Sequence, residues 1–178
     1  MEFEYIKDYA MFTAIFGILS FIWFMWAQER PLKPWRKYIW IGAGLALAVG
    51  LVGIFLTVTN WNETSALNEF GPLSMYLTVL TILIIIGVVV SIFLSRNKKQ
   101  DLIAPWLTFV FAAQFNWLVR VFIDFSLYIL GFLIVVVALF APHFARKYGV
   151  ASSAITGIGA GTLLLLFALF NLIRFLLV

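Results

Sequence analysis

Residues 73–95, LSMYLTVLTILIIIGVVVSIFLS, contain no charged side chain and decide the fold class of this chain. A bilayer's hydrocarbon core is crossed by roughly 20 consecutive apolar residues in a helix. The segment has this length, and a basic loop with Arg96, Lys98 and Lys99 follows it directly. We interpret it as a transmembrane helix whose end is marked by that loop.

Five further segments meet or approach the same length, and the loops between them are short. The sequence therefore predicts an all-α polytopic membrane protein, a bundle of six transmembrane helices in a single domain over residues 1–178. The predicted helices cover residues 9–27, 38–59, 73–95, 102–122, 125–141 and 154–173.

The composition excludes the other broad classes of protein. Of the 178 residues, 64% are apolar and 11% are charged, with a mean hydropathy of +1.07. A soluble domain carries about 25% charged residues, and a disordered chain is polar and highly charged. The net charge of +4 would fit nucleic acid in a soluble protein, but the basic residues form no continuous face with aromatics between them. We expect a lipid bilayer as the environment and no nucleic-acid partner.

The basic residues instead predict an orientation in the cell membrane. Nine of the twelve Lys and Arg residues lie in the first, third and fifth loops, which alternate with loops that are nearly free of them. Basic loops stay on the cytoplasmic side of a membrane. We therefore expect a multi-pass protein of the cell membrane with both termini outside.

The predicted fourth helix carries the most polar face of any span. At 100° per residue, five side chains share one arc, whereas Leu118, Val119 and Phe122 point elsewhere. Polar groups are costly at membrane depth unless they face protein or water, so we expect this face to point inward and line a binding site or pore. The five residues are Gln114, Asn116, Trp117, Arg120 and Asp124.

Other polar residues are predicted to join this face in an outward-facing vestibule. They are Asn60 at the end of the second helix, Asn171 and Arg174 near the end of the sixth, and Glu63 and Glu69 of the second loop. Purely structural roles for the polar residues of the fourth helix remain as alternatives. Arg120 and Asp124 are spaced to pair across one helical turn, Arg120 can extend to the headgroups, and Asp124 or Ser126 can cap the fifth helix. The amides of Gln114 and Asn116 can bond between helices.

Small residues form stripes on the second and sixth helices. In lipid the hydrophobic effect does not drive helices together, so they associate through close packing, and glycine lets two helix backbones approach closely. Packing within one chain is the interpretation that we favour, and a homo-oligomer or a membrane-protein partner is the alternative. The glycines concerned are Gly42, Gly50, Gly53, Gly157 and Gly161.

Signatures of catalysis and metal binding are absent from the sequence. The chain has no cysteine, and His143 is its one histidine, so a site built from Cys or several His is excluded. The motifs of hydrolases, P-loops and dinucleotide sites are also missing. We expect no enzyme activity, no cofactor, no catalytic residue and no metal ligand. An intramembrane enzyme acting on lipid would lack the acid and base groups that it needs.

Two hypotheses for function follow. The first is a small-solute channel, carrier or solute-binding membrane component, with the fourth-helix face as its lining. The alternative is a non-catalytic partner or regulatory subunit of another membrane protein. A water-accessible cavity reaching Gln114 and Asn116 would favour the first, whereas a dry, apolar interior would favour the second.

Overall fold

The computed structural model describes residues 5–66 and 73–178, and within these ranges the chain is helical and contains no strand. In these ranges seven α-helices follow one another, with a short 3-10 turn before the fourth. They are α1 (Ile6–Trp26), α2 (Trp35–Thr59), α3 (Leu73–Arg96), the 3-10 turn (Gln100–Leu102), α4 (Ile103–Ala113), α5 (Phe115–Phe122), α6 (Ser126–Tyr148) and α7 (Ser152–Leu177).

Six helical stretches in the described part of the chain are long and apolar enough to cross a membrane. The 3-10 turn, α4 and α5 together form the fourth of them, Gln100–Phe122. The predicted fold class, an all-α bundle of six membrane-spanning helices, is confirmed. The apolar helices suggest a multi-pass protein in a lipid bilayer.

The fourth span departs from the prediction of one continuous helix over residues 102–122. It is interrupted at Gln114, although this residue keeps right-handed backbone angles, φ −66° and ψ −23°. The Nδ2 of Asn116 donates to the carbonyl oxygen of Ala113 at 3.3 Å. Asparagine side chains can bond to nearby backbone groups and so compete with the regular hydrogen bonds of a helix. Asn116 makes such a bond at the interruption.

The fifth span is longer than predicted, because α6 continues through Pro142 to Tyr148. Ala138, Ala141 and Ala145 are all buried, so one packed face continues past the proline. The helix ends at Gly149, whose φ of +67° is a left-handed conformation that glycine adopts without strain. Packing and this end signal set the length of α6, whereas the sequence pattern suggested an end at residue 141.

Helix α2 packs on α1 through glycine. A Cβ atom added to Gly53 would lie 2.2 Å from the backbone nitrogen of Ala14, and one on Gly50 would lie 3.0 Å from that of Ile18. Real Cβ atoms do not approach backbone this closely, so the two helices are in contact only because these positions lack side chains. A Cβ on Gly44, on the same helix, would meet nothing within 4 Å.

Helix α7 packs on the same central helix. A Cβ on Gly157 would lie 2.5 Å from the carbonyl oxygen of Trp23, while Gly42 of α2 and Gly161 of α7 both face the ring of Phe24. All five glycines singled out in the sequence therefore face α1 within one chain. The favoured interpretation, ordinary helix packing, accounts for them, and these faces are not free for a second copy.

The interior is mostly apolar, and four buried hydroxyls bond to backbone carbonyls, those of Thr13, Ser20, Thr108 and Thr156. The ring of Phe16 packs against those of Phe115 and Phe167, with centroids 5.9 and 5.0 Å apart. Ser20 donates its hydroxyl to the carbonyl of Gly161 at 2.7 Å, which links α1 to α7. A bond of this kind satisfies a polar group that would otherwise be costly in a dry interior.

Three loops meet at one end of the bundle, which we call the basic end: residues 27–34, 97–102 and 149–151. The N–H of Ala151 donates to the carbonyl of Arg30 at 3.4 Å, and the hydroxyl of Ser153 donates to Glu29 at 2.7 Å. Arg30 also lies 3.8 Å from Asp101. Together with the helix ends beside them, these neighbouring loops carry nine of the twelve Lys and Arg residues, as alternating spans require. The side of the membrane that they face stays a prediction.

Candidate functional site

The end opposite the basic end contains an ion pair between two spans. Arg174 of α7 donates to Asp124, just before α6, with 2.6 Å between nitrogen and oxygen. A second guanidinium nitrogen donates to the phenol oxygen of Tyr9 at 2.7 Å, and the guanidinium carbon lies 4.1 Å from the centre of that ring. Because the side chains of Arg174 and Asp124 are only 28% and 13% exposed, water screens the pair weakly. We call Tyr9, Asp124 and Arg174 the ion-pair cluster.

Asp124 also begins α6. Its other carboxylate oxygen accepts the backbone N–H of Ser126 at 2.9 Å and the hydroxyl of the same residue at 2.6 Å. The side chain of Asp124 thus bonds to the start of α6, as the capping interpretation expects, although Phe125 is the residue that directly precedes the helix. The suggested pair between Arg120 and Asp124 is wrong. Arg174, which is distant in sequence, occupies the position that Arg120 was expected to fill.

Helix α5 places its polar face on the surface of the bundle. Asn116 and Arg120 are exposed, whereas Phe115 is 1% exposed. The rings of Phe122 and Phe12 lie 4.6 Å apart between centroids. Leu118 and Val119 also pack on the buried core. The prediction that the polar face points inward is therefore wrong for Asn116 and Arg120, because burying the apolar face of α5 removes more apolar area from water or headgroups. Gln114 and Trp117 are half-buried, and Asp124 is largely buried.

The polar residues of this surface have few partners in the chain. Arg120 lies over the ring of Trp117, 5.3 Å from its centre, and forms no ion pair within the described ranges. Gln114 is half-buried. No hydrogen bond of its side chain amide exists with the described residues, and Asn116 uses one donor on Ala113. We call Gln114, Asn116, Trp117 and Arg120 the α5 polar face.

The two remaining predicted site residues are bonded within their own helices. Asn171 is fully buried and donates to the carbonyl of Phe167 at 2.8 Å, while its Oδ1 has no partner among the described residues. Asn60 donates to the carbonyl of Leu56 at 2.8 Å at the end of α2. Among the residues predicted to form the vestibule, only Asp124 and Arg174 are in contact within the described part of the chain. Glu63 is exposed, and Glu69 lies outside the described residues.

Sequence reasoning missed the role of the first turn of α1. Asp8, 4% exposed, accepts the hydroxyl of Ser65 at 2.5 Å and the N–H of Ala66 at 2.9 Å. Lys7 donates to the carbonyl of Trp61 at 2.7 Å. These contacts hold residues 61–66 against α1. Partners more than fifty positions apart leave no local signal, and Asp8 lies just before the predicted first span of residues 9–27, whereas α1 in the structure includes it.

The basic end holds cavities between its loops. One of about 280 Å³ lies where α1, the 3-10 turn and the start of α7 meet, and Glu29, Asp101 and Ser153 are among its lining residues. A neighbouring cavity of about 450 Å³ lies between the loop after α3 and the loop after α6. Asp101 and Ser152 line both cavities. Within residues 5–66 and 73–178, no group of three His, Asp or Glu side chains is placed to hold a metal ion.

No protein-family model, curated protein or solved structure matches this chain. The function is therefore inferred from the residues and contacts above.

Proposed function

We propose that this protein is a non-catalytic component of a larger membrane assembly, and that it contacts another membrane protein through the α5 polar face. The observation that carries the proposal is the exposure of Asn116 and Arg120 on a span whose other face is packed into the core.

The position of Asn116 within the fourth span favours a protein partner for its amide. Six residues separate it from the end of α5 at Phe122, which corresponds to about 9 Å along a helix. Arg120, nearer the end, can reach the headgroups with its long side chain. The shorter side chain of Asn116 cannot reach the headgroups in this way, and polar groups that face lipid are costly. A neighbouring transmembrane helix would supply the missing hydrogen bonds.

The apolar interior supports this proposal over the channel or carrier. Phe16, Phe115 and Phe167 occupy the space where a pathway along the fourth span would run. Phe115 separates Gln114 from Asn116 in sequence and is itself buried in the core. The predicted lining therefore does not face a common interior. Aromatic rings, rather than polar side chains, pack around Phe115 between these two residues, which supports a partner subunit over a pathway beside Gln114 and Asn116.

Site-specific photo-crosslinking in native membranes tests the proposal. A photoreactive amino acid is placed at Asn116 and, as a matched control, at Phe132, which is 68% exposed and lies equally far from the start of α6. We expect a discrete protein adduct from position 116 and only lipid adducts from position 132. Asn116→Leu should weaken the association about tenfold, as expected for an interhelical hydrogen bond of about 1–2 kcal/mol.

Two outcomes would count against the proposal. Lipid adducts alone at both positions would leave the α5 polar face without a partner. Chain-dependent flux of a small solute into liposomes, abolished by Asn116→Leu, would instead support the channel or carrier.

The orientation is tested separately with introduced cysteines, since the chain has none of its own. Asn62 and Asn97 are both exposed and lie in loops at opposite ends of the bundle. With an impermeant thiol reagent on intact cells, we expect labelling of Asn62→Cys and none of Asn97→Cys, because basic loops are retained in the cytoplasm. The reverse pattern would overturn the orientation, and labelling of both would overturn the number of spans.

A further inference from the structure

The cavity of about 450 Å³ at the basic end collects positive charge from two separate loops. Lys98 and Lys99 come from the loop after α3, and Arg146 comes from the last turn of α6. Leu102 and Ala145 are among the apolar residues of the same lining. A cavity with cations and an apolar lining at the end of membrane spans has the character of a headgroup site.

Both helix ends turn sharply, which brings these cations to one place. Lys98 has a φ of +58°, and the N–H of Lys99 donates back to the carbonyl of Leu94 at 2.9 Å. At the end of α6, the N–H of Val150 donates to the carbonyl of Ala145 at 3.1 Å. Such six-to-one bonds close helices with a left-handed residue. The backbone therefore holds the lysines and the arginine around one opening.

The charge around this cavity is not balanced within the described part of the chain. Asp101 is the single carboxylate in its lining, and this residue lies 3.8 Å from Arg30 of another loop. Lys98, Lys99 and Arg146 form no salt bridge with a residue that the structure describes. Three cations therefore face one partly engaged anion, which favours an anionic ligand.

We propose that this cavity binds the phosphate-bearing headgroup of an anionic phospholipid. Basic pockets between transmembrane helices bind such headgroups, and the apolar lining residues can contact the start of the acyl chains. A wider cavity of about 700 Å³, lined by His143, Arg146 and Lys147, adjoins it through the shared Pro142 and Arg146. The membrane-topology role of basic residues explains their number at this end. It does not explain their arrangement around an apolar-lined cavity.

Native mass spectrometry of the purified full chain with phosphatidylglycerol or phosphatidylcholine tests this site. Lys98→Gln/Lys99→Gln is compared with Arg36→Gln/Lys37→Gln, which removes the same charge at the same end from residues that line neither cavity. We expect the first double variant to bind phosphatidylglycerol about tenfold more weakly and the control to change less than about twofold. Binding of phosphatidylcholine should be weak and unchanged in both.

A second pair of variants keeps the test decisive if the lysine variant does not fold. Arg146→Gln should weaken phosphatidylglycerol binding, whereas Lys33→Gln, at the same end and in neither cavity, should not. Equal loss in a cavity variant and its control would show a general surface attraction and overturn the proposal, as would no loss in either. Saturable binding of inorganic phosphate alone, abolished by the cavity variants, would overturn the lipid assignment in favour of a free anion.

Discussion

Gly53→Ala destabilises the bundle by about 3 kcal/mol, the upper part of the range for overpacked cores. The added methyl group would lie 2.2 Å from the nitrogen and 2.6 Å from the Cα of Ala14. Both atoms belong to the backbone of α1, so no side chain can move aside and the two helices must separate. Because α7 also packs on α1, the separation disturbs the central helix of the bundle. The midpoint of thermal unfolding in detergent measures the effect.

Gly44→Ala is the matched control on the same helix. A Cβ at this position meets nothing within 4 Å. Alanine is the better helix former by about 1 kcal/mol, so this variant should be as stable as the wild type or slightly more stable. Equal unfolding midpoints for the two variants would show that α1 and α2 are not in the close contact described above.

Arg174→Gln lowers the free energy of unfolding by about 2 kcal/mol, as expected for losing hydrogen bonds to a charged group that is largely buried. The substitution leaves the carboxylate of Asp124 without its cation and removes the donor to Tyr9. Three elements lose a common contact: the starts of α1 and α6 and the end of α7. Reversible unfolding of the purified chain in detergent measures the loss.

Arg120→Gln serves as the control for that prediction. Arg120 is an arginine at the same end of the bundle, but it is exposed and contacts a ring instead of a carboxylate. We expect less than about 0.5 kcal/mol from this change, as for other exposed positions. A double-mutant cycle of Arg174→Gln with Asp124→Asn should give a coupling above about 1 kcal/mol. Additive losses, or an equal cost for Arg120→Gln, would contradict the ion pair.

These two predictions separate the stability of the bundle from its proposed function. The glycine contacts and the ion-pair cluster hold the first, second, fifth and sixth spans together, whereas the α5 polar face contributes little to internal packing. Asn116→Leu should accordingly leave the unfolding midpoint unchanged while it weakens association with a partner. A variant that lost both would indicate that Asn116 acts inside the fold through its bond to Ala113.

The sequence by itself determined the number and type of the spans. Each span is a local property, since about 20 apolar residues must form a helix to satisfy their backbone groups in lipid. The cap at Asp124 was also within reach, because Ser126, its partner, is two residues away. Helix packing through glycine was favoured for a similar reason, as the stripes follow from the 3.6-residue period of one helix.

Only the tertiary structure decided which partner each polar residue has and which way α5 faces. The pair between Asp124 and Arg174 joins residues fifty positions apart. The sequence pattern favoured Arg120 instead, because it lies only one helical turn from Asp124. The direction of α5 depended on whether Phe115 and Phe122 or the polar residues would be buried. Phe115 and Phe122 pack into a cluster of four neighbouring rings, those of Phe12, Phe16, Phe111 and Phe167. The periodicity of one helix gives the positions of its faces, but the neighbours that bury one of them come from distant parts of the chain.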